Sequence, residues 1–139
     1  MYIKITNGVP SKYTIGQLRR DNPQTSFPRI IPDSVLADYS VYPCSIVDVD
    51  IDALVQTKVD GDYTQTNNAW SLQRVASNLP QQDAERNVRE HRDALLSETD
   101  YLALSDNTMS AAMTTYRQAL RDITDQAGFP FNVTWPTKP

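Results

Sequence analysis

The 139-residue sequence contains few of the residues on which most catalytic and metal sites depend. It has one cysteine, Cys44, one histidine, His91, and four isolated glycines. A single cysteine cannot form a disulfide within the chain, and one cysteine with one histidine is too small a ligand set for a zinc site. Isolated glycines do not build a phosphate-binding loop. We therefore predict no metal, no cofactor and no enzymatic activity.

Basic stripes and long apolar runs are also missing, and these absences exclude two kinds of partner. The net charge is −4, and the Lys and Arg residues are scattered, so a nucleic-acid partner is not expected. No apolar run approaches the roughly 20 residues that span a bilayer, so no membrane partner is expected. Hydrophobic residues make up 40% of the sequence, which is enough for a globular core. We expect a cytosolic protein of one domain or two small lobes.

The acidic alternation Asp48-x-Asp50-x-Asp52 is the one pattern that suggests a metal loop. A calcium-binding loop of this type needs Gly at its sixth position and Glu at its twelfth, but the chain has Ala53 and Val59 there. The same spacing fits the solvent face of a strand, which is the interpretation we favour.

A small hydrolase using His91 or Cys44 is the remaining catalytic alternative. No Gly-x-Ser-x-Gly motif is present, although triads assembled from distant residues stay open. We interpret His91 as a residue of a helix interface and Cys44 as a small buried side chain. The hydrolase alternative predicts a turnover that His91→Ala would abolish.

Residues 1–79 are predicted to form a β-rich lobe with short helices. Asn7-Gly8 favours a two-residue turn, so residues 1–13 should form a β-hairpin. Thr14 and Gln17 have the spacing of a capping box and start a short helix. A second short helix should begin at Pro32 or Asp33.

The middle of this lobe is predicted to be an antiparallel meander of three or four strands. Val47, Val49 and Ile51 alternate with aspartates, which is typical of a half-buried strand. Asp60-Gly61 and Asn67-Asn68 are both turn signals.

Residues 80–139 are predicted to form an antiparallel helical hairpin followed by an extended tail rich in proline and aromatic residues. Apolar positions step by four and three along two segments, first at Ala84, Val88, His91 and Leu95, then at Met109, Met113, Tyr116, Leu120, Ile123 and Ala127. Arg117 and Arg121 fall beside the second series and are interpreted as charges on helix faces. Gly128 is expected to end the second helix in a left-handed conformation. The predicted fold class is therefore α+β.

The tail, residues 129–139, is the most apolar and stiffest segment, and we predict that it docks. It contains Phe129, Phe131 and Trp135 together with three prolines. Either these rings fold back on the hairpin, or they form an exposed patch that binds protein. We expect an aromatic cluster of Tyr101, Tyr116 and Trp135. The candidate tail-docking or partner-binding residues are Tyr101, Tyr116, Phe129, Phe131 and Trp135.

Three C-terminal motifs together resemble the module of phage tail-fibre assembly proteins, the tail assembly chaperone-like family. They are "RDALLSETDY" (92–101), "YRQALRDITDQ" (116–126) and "GFPFNVTWPTKP" (128–139). The segment "YTIGQLRRDNPQTSFP" (13–28) is similar to the leader of phage proteins that carry this module. Tyr101 stands where the family usually has Trp.

The resemblance implies a non-enzymatic protein that assists tail-fibre assembly and stays bound to the fibre or baseplate in some cases. Its implied partner is a tail-fibre protein or another tail protein, and a homo-oligomer is left open. It implies work in the host cytoplasm during assembly, with retention in the virion tail as an extension. The competing interpretation is a permanent virion component, such as a fibre adaptor or tip subunit, without chaperone activity.

Overall fold

The computed structural model describes residues 1–104 and 107–139, and it shows a mixed α+β protein with a five-stranded sheet and four helices. The elements in chain order are β1 (Tyr2–Thr6), β2 (Val9–Tyr13), α1 (Ile15–Asp21), α2 (Asp33–Asp38), β3 (Val41–Val47), β4 (Gln56–Thr66), β5 (Ala69–Asn78), α3 (Gln81–Ser97) and α4 (Ala111–Arg121). Short 3-10 helices cover Asp100–Ala103 and Asp122–Asp125. None of the helices in the described ranges has both the length and the apolar character of a membrane span.

The chain contacts define two units. The first contains Met1–Val49 and Lys58–Val75, and the second contains Asp50–Thr57 and Ala76–Pro139. The predicted division at residue 79 stays a prediction.

The first unit begins with the predicted hairpin. Asn7 and Gly8 both have positive φ, at 52° and 81°, and β1 pairs with β2 in antiparallel register from Tyr2↔Tyr13 to Thr6↔Val9. The predicted capping box is confirmed, because Thr14 accepts from the Gln17 backbone N–H while the Gln17 side chain accepts from the Thr14 backbone N–H. The helix predicted at Pro32 or Asp33 is also confirmed, as α2.

Two apolar clusters lie on opposite faces of the sheet in this unit. Tyr2 packs against the first cluster, whose buried members are Tyr13, Leu18, Ile31, Leu36 and Val41. The next residue along β1, Ile3, belongs to the second cluster with Cys44 and Leu72. Successive residues of a strand point to opposite faces, so the sheet buries apolar side chains on both sides.

The strand order is β2-β1-β3-β5-β4, so β2 and β4 are the outer strands. An ion pair nevertheless joins Lys12 of β2 to Asp60 of β4. The sheet must therefore curve until its two edges approach each other. Curvature of this kind encloses the second cluster and protects edge strands from pairing with other chains.

Three predictions for residues 44–76 are wrong. β3 covers Val41–Val47 and ends where the alternation was expected to start. Asp48 and Asp52 instead accept hydrogen bonds from the backbone N–H groups of Val49 and Leu54. Such local bonds compete with a strand ladder. The sheet is not an antiparallel meander either, because β3 pairs with β5 in parallel from Cys44↔Trp70 to Val47↔Gln73.

The predicted turn at Asp60-Gly61 is the third error, since both residues lie inside β4. The turn that joins β4 and β5 is Asn67-Asn68, as predicted, with φ values of 50° and 63°. Gly61 serves a different purpose, because an added Cβ would lie 2.9 Å from the Gln73 carbonyl oxygen. A glycine in a strand often marks such a close backbone approach.

The second unit contains α3 and α4, which are the two predicted helical segments. Helix α4 ends at Arg121 and passes into the 3-10 helix Asp122–Asp125, so it is shorter than the pattern predicts. Gly128 does not adopt the predicted left-handed conformation, since Gly8 is the only described glycine with positive φ. The antiparallel arrangement of the helices and the extended shape of the tail stay predictions.

Candidate functional site: the C-terminal module

The aromatic tail packs against its own unit through a cluster that we call the C-terminal cluster. Its buried core is Val55, Ala84, Val88 and Ile123, and the residues packed around it are Leu54, Leu79, Phe129, Val133 and Trp135. Helix α3 supplies Ala84 and Val88, which are the first two positions of the predicted apolar series. The structure therefore brings Phe129 and Trp135 together.

Two polar residues of α3 hold the aromatic rings of the tail. The ring of His91 meets the ring of Trp135 edge to face, with centroids 4.7 Å apart. The Arg89 guanidinium lies over the ring of Phe129, 5.3 Å from its centroid. Such pairs add about 0.5–1.5 kcal/mol each beyond the burial of area. His91 is exposed, so it supports the tail rather than lying in a buried helix interface.

Polar contacts fix the backbone of the tail. The Gln126 side chain donates to the Thr134 carbonyl at 2.9 Å and accepts from the Thr134 N–H at 2.7 Å. The Asn132 N–H donates to the Gly128 carbonyl at 2.7 Å. This turn requires glycine because an added Cβ at residue 128 would lie 2.1 Å from the Asn132 carbonyl oxygen.

A buried arginine of α4, Arg117, contacts the end of α3, and the sequence analysis did not predict its burial. Its side chain lies on a helix face, as predicted, but the residue is only 6% exposed. Its guanidinium donates to the Leu96 carbonyl at 2.9 Å, to the Thr99 hydroxyl, and to the Asp100 carboxylate at 2.8 Å. A cation at this position also satisfies carbonyls at the end of a helix. Its place directly beside Tyr116 and Leu120 in the apolar series is the signal that could have revealed its burial.

Among the described residues of this unit, the exposed large apolar side chains are Tyr101 (61%), Leu104 (58%) and Phe131 (38%). Tyr101 and Leu104 follow Asp100, the residue that Arg117 binds. Tyr116 is buried and is not a member of the C-terminal cluster. The ring that meets Trp135 edge to face is that of His91. The three-ring cluster of Tyr101, Tyr116 and Trp135 stays a prediction.

Two residues considered for catalysis or metal binding, Cys44 and Asp48, take part in contacts within the first unit. Cys44 is buried in the first unit, and burial raises the pKa of its thiol, which disfavours the nucleophilic thiolate. Asp48 pairs with Lys58 at 2.9 Å, and this hydrogen-bonded pair lowers the pKa of Asp48. Within the described ranges, no group of three or more His, Cys, Asp or Glu residues is placed to hold a metal.

Part of the second unit matches a known family model. Residues 85–139 match the model of the family described as "Phage tail assembly chaperone protein". The match covers less than half of the chain, and within it the resemblance drawn from residues 92–139 is confirmed. No curated protein and no solved structure matches the chain. The resemblance at residues 13–28 lies outside the match and stays a prediction. The match supports a role in phage tail assembly and contact with other tail proteins.

Proposed function

We propose that this protein assists the assembly of the tail fibre by binding a tail-fibre protein through the exposed apolar side chains of its C-terminal module. The observation that carries the proposal is a difference in burial among the large apolar residues of the matched segment. Phe129 and Trp135 pack against the C-terminal cluster, whereas Tyr101, Leu104 and Phe131 remain exposed. Exposed aromatic and aliphatic side chains on an otherwise packed surface are typical of protein-binding sites.

The structure around Tyr101 supports this assignment. Thr99 is 1% exposed, and Asn107 donates to the Tyr101 carbonyl at 2.9 Å. With the Arg117 contacts to Thr99 and Asp100, these bonds hold the backbone on both sides of the Tyr101 side chain. A binding residue that is held in place before contact loses less conformational entropy on binding.

The proposed mechanism is reversible covering of an apolar surface that a tail-fibre chain exposes before it assembles. Unassembled chains that expose apolar surface aggregate. A protein that binds this surface reduces the amount of tail-fibre chain that is lost to aggregation. The chain would act in the host cytoplasm, and its retention on the fibre or baseplate is a second part of the proposal. Its own oligomeric state stays open.

The test is binding of the purified protein to the tail-fibre protein of the same phage, measured by calorimetry. We expect Tyr101→Ser with Leu104→Ser to weaken binding about tenfold or more, since each residue is a potential anchor. The matched control is Val9→Ser with Ile30→Ser, because these residues are 65% and 84% exposed but lie in the first unit. Equal loss in both double variants would contradict the proposed surface.

Retention is tested separately by quantitative mass spectrometry of purified particles. A fixed copy number relative to the major capsid protein would support a part that stays in the tail. Absence from particles, with the chain bound to fibre protein in infected-cell lysate, would support a transient factor and contradict retention.

A further inference from the structure

The exposed side chains of Tyr101 and Leu104 have a charged border that narrows the choice of partner. Asp100–Ala103 is a 3-10 helix, and Leu104 is its C-terminal cap. Residues three apart lie on the same side of such a helix, so Tyr101 and Leu104 form one apolar surface with Asp100 directly beside it. We call these two side chains the Tyr101 surface.

The ion pair of Asp100 with Arg117 turns its negative end towards solvent. The Asp100 side chain is 64% exposed, whereas the Arg117 side chain is 8% exposed, and 2.8 Å separates Asp100 Oδ1 from the Arg117 guanidinium. Because Arg117 binds the carboxylate from the buried side, a partner would reach it from the solvent side. The pair therefore acts as a dipole whose negative end borders the Tyr101 surface.

Glu98 and the end of α3 add to the negative potential at this border. Glu98 is the C-cap of α3, whose last turn contains no basic residue, and a helix C-terminus carries about half a negative charge. Glu98 pairs with Lys138 at 3.3 Å, but exposed ion pairs of this kind contribute little. A cation supplied by a partner would thus meet favourable charge on Asp100, on Glu98 and at the helix end.

We propose that the Tyr101 surface binds a segment of the tail-fibre protein in which an apolar side chain stands next to Lys or Arg. The apolar side chain packs on Tyr101 and Leu104, and the cation pairs with the exposed carboxylate of Asp100. Charge complementarity favours such a segment over an acidic one. It also disfavours a second copy of this chain, whose net charge is −4.

The identity of the partner rests on the proposed function, whereas the preference for a basic apolar segment belongs to the surface and is tested alone. The full ¹⁵N-labelled protein is titrated with two synthetic peptides, one of alternating leucine and lysine and the other of alternating leucine and glutamate, and followed by NMR. We expect saturable shifts of the Tyr101 and Leu104 amide signals with the lysine peptide. The glutamate peptide should bind about tenfold more weakly or not at all, and the affinity for the lysine peptide should fall as salt rises.

A charge reversal locates the border. Glu98→Lys should weaken binding of the lysine peptide about fivefold, and the fold should persist because a cation at the end of α3 favours the helix. The matched control is Glu90→Lys, which makes the same charge change at an exposed site of α3 about 12 Å further from the border. The control should bind the lysine peptide normally.

Three results would overturn the preference for a basic segment. They are equal affinity for the two peptides, equal loss in Glu98→Lys and Glu90→Lys, and shifts that are saturable elsewhere but absent at Tyr101 and Leu104.

Competition with the tail-fibre protein of the same phage separates this preference from the proposed function. A lysine peptide that binds as expected but does not displace the fibre protein would overturn the tail-fibre assignment and leave the preference supported. A fibre protein whose binding is weakened by Tyr101→Ser with Leu104→Ser, but not by Glu98→Lys or by salt, would support the proposed function and overturn the preference.

Discussion

Truncation of Trp135 tests whether the aromatic tail is part of the folded core of the second unit. Its ring packs against the C-terminal cluster and meets the His91 ring at 4.7 Å. A half-buried indole removes about 100–150 Å² from water, which is about 2.5–4 kcal/mol at ~25 cal/mol per Å². Compactness of the unfolded chain reduces this gain, while the lost ring pair adds about 0.5–1.5 kcal/mol. We expect Trp135→Ala to lower the free energy of unfolding by about 2–4 kcal/mol.

The assay is urea denaturation followed by far-UV circular dichroism, because the longest helices, α3 and α4, belong to this unit. The matched control is Phe131→Ala, in the same segment but 38% exposed and outside the cluster, and it should cost less than about 1 kcal/mol. His91→Ala should cost about 0.5–1.5 kcal/mol, the value of the ring pair alone. Equal costs for Trp135→Ala and Phe131→Ala would refute the conclusion that the tail is docked through Trp135.

Three further predictions concern stability. Gly128→Ala should destabilise the protein by more than about 2 kcal/mol because the added Cβ would collide with the Asn132 carbonyl. The control is Gly16→Ala, whose added Cβ would have no contact under 3.5 Å and should not destabilise the protein. Thermal unfolding measures both variants. Arg117→Met should cost about 3–5 kcal/mol by urea denaturation, since it leaves the buried groups around it without their donor; a cost below 1 kcal/mol would contradict the buried network. Burial and a hydrogen bond to a carboxylate raise the pKa of Tyr13 to about 12. Its stabilising contribution should be complete below about pH 10 and lost between about pH 10 and 12. Between about pH 10 and 12, the urea midpoint should fall less in Tyr13→Phe than in the wild type. Equal falls in the two proteins would contradict the stabilising role of the Tyr13 hydroxyl.

Local signals predicted the parts of the fold that depend on neighbouring residues. Asn7-Gly8 and Asn67-Asn68 adopt the positive φ values that their side chains tolerate. Thr14 and Gln17 complete their capping box within four residues. In each case the residues that stabilise the structure are close neighbours in the sequence.

The errors come from contacts between distant residues. The parallel pairing of β3 with β5 joins positions 26 apart, as in Cys44↔Trp70, and no local pattern encodes it. Gly61 lies in a strand because of its approach to Gln73, and not because of a turn. In the candidate site, the apolar series predicted Val88 and Leu120 as buried, but the burial of Arg117 depends on acceptors at residues 96–100.

The most direct test of the central claim is co-expression of the tail-fibre protein with and without this chain, measuring the soluble, correctly assembled fraction of the fibre. The proposed function predicts that the wild type and the Val9→Ser, Ile30→Ser control raise this fraction equally, while the Tyr101→Ser, Leu104→Ser variant does not, although it folds. A soluble fibre yield that is the same with and without the chain would contradict a role in tail-fibre assembly.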